Sequence, residues 1–303
     1  MVSNSWDTPP SLWISGRLVP WDECVVHVTS PYAQRGASVF DGIRLYKTSR
    51  AGTYLALALT KHLQRLDDTW QALSLPISFS TEMIRQGLVE LLSSRNIGDC
   101  YCRVTRYLDA RTPDDAREPD GVMVALFKQR PLIEQPVACV ISSWRRTNLA
   151  LPAQMKIGGH YFLLSWLRQQ ARQLGADDAI LLNDRDLVCE ATGTAIFVFL
   201  DGELVTPPIS DGALPSITAQ IVTELASKLD IPTSTRSVHR TQLFRTQGAF
   251  LAGTLDELRP ITTIDNVRLP DVLESEPIAE LFKAYAAICR AERESEWSEF
   301  LEV

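Results

Sequence analysis

No apolar run in this 303-residue chain approaches the roughly 20 residues that cross a bilayer. The N-terminal stretch, with Trp6, Asp7, Pro9 and Pro10, lacks the basic and apolar regions of a secretory signal. There is no cationic excess either: the formal net charge is −7, which speaks against nucleic acid or an anionic membrane as partner. Histidine is scarce, with four residues, and the six cysteines (Cys24, Cys100, Cys102, Cys139, Cys189 and Cys289) show no metal-ligand spacing with them. No metal site is expected, and the thiols read as reduced packing groups of a cytoplasmic protein. No repeat or low-complexity segment is evident. The rest of the composition, 45% apolar and 22% charged, is that of an ordinary globular protein. The length suits two modest domains or one large one.

Periodicity divides the chain. Leu12 to Pro20 reads as a hairpin turning at Ser15-Gly16, and Val25 to Val28 as a further strand. Thr60 is placed to cap a helix with Leu63, Leu66, Trp70 and Leu73 on its apolar face, and a second helix runs from about Glu82 to Leu92. Tyr101 to Leu108 alternates as a strand, with Tyr101, Arg103, Thr105 and Tyr107 on one side. A charged, Pro- and Asp-rich loop leads to the strand Val122 to Lys128, and the best linker is the segment from Pro131. The expected organisation is a small N-terminal α/β domain (1–130), a linker (131–137) and a larger C-terminal domain (138–303). In the second half lie a strand from Ala138, helices from Ser216 to Leu229 and from Pro277 to Arg290, and strands around Ile180, Glu190 and Ala249 to Leu255.

Two residues carry chemistry. Lys156, in Met155-Lys156-Ile157-Gly158-Gly159-His160-Tyr161-Phe162, stands between a strand-loop and a helix with apolar residues at Leu163, Leu164, Leu167, Ala171 and Leu174. Two glycines just after it let the backbone approach whatever the lysine holds. A lone lysine at a helix start is commonly a surface charge, yet a cation is poorly placed beside the positive end of a helix dipole. A lysine acting as a neutral amine suffers no such penalty. Glu190 is the one carboxylate in the β segment Leu187 to Phe199, which is followed by a hairpin at Asp201-Gly202. It reads either as a strand-end charge or as the partner of a protonated ring nitrogen. Together the two residues are what a pyridoxal phosphate enzyme requires: an amine for the cofactor aldehyde and a carboxylate for the pyridine nitrogen.

Longer blocks make the resemblance specific. The order Gly36-Ala37-Ser38-Val39-Phe40-Asp41-Gly42-Ile43-Arg44, Lys61-His62-Leu63-Gln64-Arg65-Leu66, Ser142-Ser143-Trp144-Arg145-Arg146, the Lys156 and Glu190 blocks, Leu214-Pro215-Ser216-Ile217-Thr218 and Gly253-Thr254-Leu255 resembles the fold-type IV (class IV) aminotransferases. The branched-chain amino acid aminotransferases are the most similar branch. The resemblance covers nearly the whole chain. It implies a two-domain α/β (α+β) enzyme of the D-amino acid aminotransferase-like fold, holding pyridoxal 5'-phosphate between its halves as a homodimer. It also implies that Lys156 is the catalytic lysine and Glu190 the ring-nitrogen carboxylate, and that Tyr161 bonds the pyridoxal hydroxyl. Arg65, Ser216, Ile217, Thr218, Gly253 and Thr254 would hold the phosphate. Without the resemblance, Arg65 is an ordinary helix charge, Ser216 a helix cap and Tyr161 a packed tyrosine.

The implied substrate pocket is Phe40, Tyr101, Arg103 and Leu255, with Arg35 where branched-chain enzymes usually carry tyrosine. Arg35 reads equally as a carboxylate binder or a solvent-facing loop charge. The chain departs from the family pattern at His160, Ala195, Ser216, Ala219 and Leu255, and its linker is shorter. These departures leave the lysine, the glutamate and the phosphate arginine intact and bear on the substrate. The expected reaction moves an amino group from a hydrophobic or branched-chain L-amino acid to a 2-oxo acid such as 2-oxoglutarate. The alternatives are a lyase of the aminodeoxychorismate lyase type, a transaminase for D-amino acids or (R)-amines, and a non-enzymatic protein that retains the cofactor.

Overall fold

A computed structural model describes residues 8–109, 120–128, 136–146 and 152–303. These form two compact units, the first taking the described residues of Met1–Pro131 with Lys156–Gly159 and Ile288–Val303. Its elements are β1 (Ser11–Ile14), β2 (Arg17–Pro20), α1 (Pro31–Arg35), β3 (Ser38–Lys47), β4 (Thr53–Leu57), α2 (Leu59–Ala72), α3 (Thr81–Ser93), β5 (Cys100–Leu108) and β6 (Asp120–Lys128). With the C-terminal strand Ser298–Glu302 they make a seven-stranded sheet, ordered C-terminal strand, β4, β3, β5, β6, β1, β2. Helix α2 buries Leu59, Leu63, Leu66 and Trp70, and α3 buries Ile84, Leu88, Leu91 and Leu92. Those stripes have helical spacing and pack with Ile43, Leu45, Cys102 and Val104 of β3 and β5 into one core. The pleat then sends Phe40, Gly42 and Arg44 to the opposite face. In the register, Phe40 faces Thr105, Gly42 faces Arg103 and Arg44 faces Tyr101.

Several local expectations differ from the structure. Leu73 lies past the end of α2 and is exposed, and so are Leu163 and Leu174, which the spacing places on the apolar face of the helix after Lys156. Val25 to Val28 forms no strand; Val25 and Val28 are exposed, and among the described residues no strand pairs with the segment. Thr60 is not the cap of α2: the helix starts at Leu59 behind a left-handed Ala58 that offers no side-chain cap.

The second unit takes the described residues of Leu132–Met155 together with His160–Ala287. It contains β7 (Val137–Arg145), α4 (Gly158–Gln173), β8 (Asp178–Leu182), β9 (Val188–Ala191), β10 (Ala195–Leu200), β11 (Glu203–Thr206), α5 (Ile217–Lys228), β12 (Thr233–Thr235), β13 (Ala249–Gly253), β14 (Glu257–Ile264), β15 (Val267–Arg268) and α6 (Glu276–Cys289). Nine strands form its sheet, ordered β12, β11, β10, β13, β14, β7, β8, β9, with β15 on β14. The pairs β7–β8 and β11–β12 are parallel, and α4 and α5 are the crossovers that parallel pairing requires. Val137, Ile180, Val188, Ile196, Leu251 and Ile261 anchor the core. The sequence-based boundary groups 138–303 together; here Lys156–Gly159 and Ile288–Val303 join the first unit instead. The reason is pairing: the C-terminal strand adds to β4, and Ile157 bridges Val39. Linker residues 131–135 lie outside the described residues.

Candidate active site

In the first unit, three expected site residues meet at one ring. Lys156 is half-buried, and its carbonyl accepts the Phe40 N–H at 3.2 Å. The Phe40 ring is buried; Lys156 Nζ lies 5.0 Å from its centroid and Arg103 Cζ 3.8 Å from it. Both cations are within cation–π range. The turn that presents the lysine depends on Gly158, because a Cβ there would collide with Ser38 Oγ. Tyr101 shares the sheet face of Phe40 and Arg103, and its ring lies over Gly42. Arg35 closes α1 as its last residue and is exposed, so it is not brought into this group.

Arg65, on α2, is held from the opposite face of the sheet. Its Nε and Nη2 donate to the two oxygens of Asp41, each at 2.8 Å, a fork-to-fork pair. The same carboxylate accepts His62 Nδ1 and the Gly42 N–H, both at 2.8 Å. Burial alone would push the Asp41 carboxyl up, but Arg65 and His62 outweigh it and hold Asp41 well below the usual carboxylate range. Burial lowers His62 despite Asp41, so a neutral imidazole makes that bond. Sequence reasoning selects Arg65 and passes over Asp41, whose signal is its place one residue after Phe40.

In the second unit, Glu190 on β9 is buried and held at both oxygens. Oε1 pairs with Arg146 Nη1 at 2.9 Å, and Oε2 accepts the Leu214 N–H at 2.9 Å. Beside it, burial and the Glu190 charge push the Cys189 thiol up to about 12, so it stays protonated and bonds the Asp211 carbonyl. Tyr161, on α4, packs on the small cluster of Leu164, Leu167, Leu181 and Cys189, which brings it to Glu190's chain neighbour. Ser216 caps α5, its Oγ accepting the Ala219 N–H at 3.1 Å. The first-turn N–H groups of Ile217 and Thr218 have no acceptor within the helix, as at any helix start. Thr254 and Leu255, both half-buried, follow β13, whose last residue Gly253 comes so close to Thr194 that a Cβ would overlap the threonine methyl.

These groups fit pyridoxal phosphate. Thr194 Oγ1 is buried and makes no hydrogen bond within the described residues, and Thr194 packs against Gly253. A hydroxyl in that condition costs free energy until an added polar group meets it. In the second unit the buried Glu190 carboxylate and the first turn of the 12-residue α5, and in the first unit the Lys156 amine, are the kinds of group such a cofactor needs. Among the described residues no cluster of His, Cys, Asp and Glu suits a metal. No described helix is long and apolar enough to cross a membrane.

Comparisons with known proteins point one way. The family model for class IV amino-transferases matches residues 38–264. The branched-chain-amino-acid aminotransferase of Escherichia coli (strain K12) is 26% identical over 295 residues, covering 94% of this chain and 95% of that protein. A crystal structure of branched-chain aminotransferase from Thermoproteus uzoniensis with norvaline superposes with a TM-score of 0.88 at 30% identity, covering 95% of this chain and 98% of its own. The T.th. branched-chain amino acid aminotransferase complexed with N-(5'-phosphopyridoxyl)-L-glutamate gives 0.89 at 26% identity, covering 96% of this chain and 98% of its own.

Proposed function

The chain belongs to the class IV aminotransferases, enzymes that work with pyridoxal phosphate, and from that premise we propose that it moves amino groups from hydrophobic L-amino acids, branched-chain ones first, to a 2-oxo acid. The observation that carries this reading is the group around Phe40, where an amine and a guanidinium stand within 5.0 Å of the centroid of one buried aromatic ring. The apolar wall suits an aliphatic or aromatic side chain, and Arg103 suits a carboxylate, including the second one of 2-oxoglutarate.

When bound, the cofactor supplies an electron sink for the bond broken at the amino acid's Cα. Lys156 Nζ is the amine that would hold it and, once released, would carry the Cα proton. Glu190 would keep the ring nitrogen protonated, and Tyr161 would bond the ring hydroxyl. Ser216, Ile217, Thr218, Gly253 and Thr254 would give the phosphate its N–H and hydroxyl donors, with Arg65 adding a guanidinium already oriented by Asp41. Tyr101 and Leu255 are the residues that the family pattern would set against the substrate side chain, and Arg35 is exposed in the single chain. A second copy of the chain as partner, in the cytoplasm, completes the reading. The exposed Phe162, Trp144 and Trp166 of the second unit are the kind of apolar surface a second copy would cover.

Single-turnover spectroscopy tests the substrate. L-Leucine, L-phenylalanine, L-glutamate, D-alanine and a simple chiral amine are each mixed with the holoenzyme, and conversion to the pyridoxamine form is followed. L-Leucine and L-phenylalanine should convert fastest. Conversion by D-alanine or the amine, with none by the L-amino acids, overturns the choice; no conversion by any of them favours the lyase.

A further inference from the structure

Arg146 enters the sequence pattern only as the end of the Ser142–Arg146 block, which assigns it no role. It follows β7 directly, and only 14% of its side chain is exposed. Its guanidinium makes three contacts in different directions. Nη1 meets Glu190 Oε1 at 2.9 Å, Nε donates to the Gly212 carbonyl at 2.7 Å, and Nη2 donates to the Ala153 carbonyl at 3.2 Å. The Leu214 N–H, two residues past Gly212, donates to the other oxygen of Glu190. Arg146, Glu190, Leu214 and Gly212 therefore close a ring, and the Ser216 cap of α5 follows two residues later.

We infer that Arg146 is a positioning residue: its guanidinium fixes Glu190 against the cofactor's ring nitrogen and ties the turn that opens α5 to the same carboxylate. The inference rests on the assignment of Glu190 to the ring nitrogen made above. Two consequences follow from the geometry. A guanidinium at bonding distance favours the ionised carboxylate, the form that keeps a proton on a ring nitrogen. With one oxygen held by Arg146 and the other by Leu214, the carboxylate cannot rotate without pulling on the turn before the helix. The ring-nitrogen contact and the phosphate turn are thus coupled through one side chain. The other titratable groups nearby do not compete for Glu190: burial and Arg146 keep His160 neutral, and Cys189 is a protonated thiol. A lysine at 146 would supply the charge but not the planar fork that reaches two carbonyls as well.

The test uses the reconstituted holoenzyme of the parent, Arg146→Gln, Arg146→Lys and Glu190→Gln. Its readouts are the pH titration of the bound cofactor's visible absorbance without substrate, the cofactor Kd, and the apo-protein's thermal midpoint. Glu190→Gln removes the charge on the ring-nitrogen side and should move the titration midpoint by about one pH unit or more. Arg146→Gln should move it in the same direction and weaken cofactor binding by about tenfold or more, the fork to Gly212 and Ala153 being lost. Arg146→Lys should return the titration toward the parent while the cofactor Kd stays raised. A parental titration in Arg146→Gln, with Glu190→Gln shifted, overturns the role of Arg146 and leaves Glu190 standing. An unshifted Glu190→Gln removes the underlying assignment itself. If Arg146→Gln does not fold, Arg146→Lys decides: a parental cofactor Kd in that variant overturns the coupling.

Discussion

Lys156 is pinned through its backbone and reaches with its side chain. The Phe40 N–H donates to its carbonyl, Ile157 bridges Val39, and helix α4 begins at Gly158. Cutting the side chain back to Cβ leaves those bonds in place, so Lys156→Ala should fold with a near-parental thermal midpoint. Borohydride should no longer fix the cofactor covalently, and activity should fall by about a thousandfold or more, since the amine that the reaction needs is lost. Covalent fixation at a different lysine would move the assignment there.

Arg65 needs a different experiment, because Asp41 behind it is fully buried. Removing the guanidinium alone leaves a buried carboxylate with the His62 and Gly42 bonds but without its ionic partner, a cost of up to about 3–5 kcal/mol. Arg65→Gln should therefore lose both stability and cofactor affinity. The double variant Asp41→Asn/Arg65→Gln removes both charges and should recover the thermal midpoint, yet still release cofactor on dialysis faster than the parent. Equal release rates for the double variant and the parent would place the phosphate elsewhere. Lys156 and Glu190 stand out in the sequence as candidates because few residue types could do the chemistry proposed for them. Asp41 and Arg146 do not, since their meaning is a partner met only after folding.

Among the elements, α2 and α3 follow from their apolar spacing, whereas the way α2 begins does not. Glu299, at the far end of the chain, caps it: Oε1 accepts the Thr60 N–H and Oε2 the Thr60 hydroxyl, both at 2.7 Å. Arg85 on α3 bonds the same Oε2 at 2.8 Å, so one carboxylate joins α2, α3 and the C-terminal strand. A cap supplied across 239 residues leaves no local signal, and the strand that carries it pairs with β4 at the sheet edge. Val25 to Val28 fails in the opposite sense: a β-rich run with no strand beside it among the described residues stays exposed. Glu299→Ala should destabilise the first unit by about 1–2 kcal/mol, the size of a lost helix cap. Calorimetry should show the lowered transition, and amides of the first turn of α2 should exchange faster. Unchanged exchange at Leu59 to Lys61 would rule out the capping role.

At the scale of the whole molecule, acid and alkali should act on different buried groups. Burial would raise the Glu299 carboxyl, but Arg85 and Thr60 outweigh it and lower it from 4.5, and Asp41 is likewise lowered from 3.8. Each stabilises the fold above its unfolded value, and that contribution is lost as pH falls through the folded one. His62 is lowered from 6.5 by burial, so the unfolded chain binds its proton first and stability declines from about pH 6.5 downward. The thiols work at the other end. Burial raises Cys100 to about 12 and, with the Glu190 charge, Cys189 to about 12, while Cys102 and Cys139 also rise from 9.0. Their contribution is complete below pH 9 and is lost as pH climbs toward 12 and the unfolded thiols ionise. The thermal midpoint of the apo-protein should therefore be highest between about pH 7 and 8.5 and fall on both sides. His62→Gln should flatten the limb between about pH 6.5 and 5 without touching the alkaline one. The double variant Cys100→Ala/Cys102→Ala should flatten the alkaline limb of the first unit alone, because Cys139 and Cys189 belong to the second. A parental acid limb in His62→Gln would mean that His62 is charged in the folded protein, and the neutral bond to Asp41 would have to be given up.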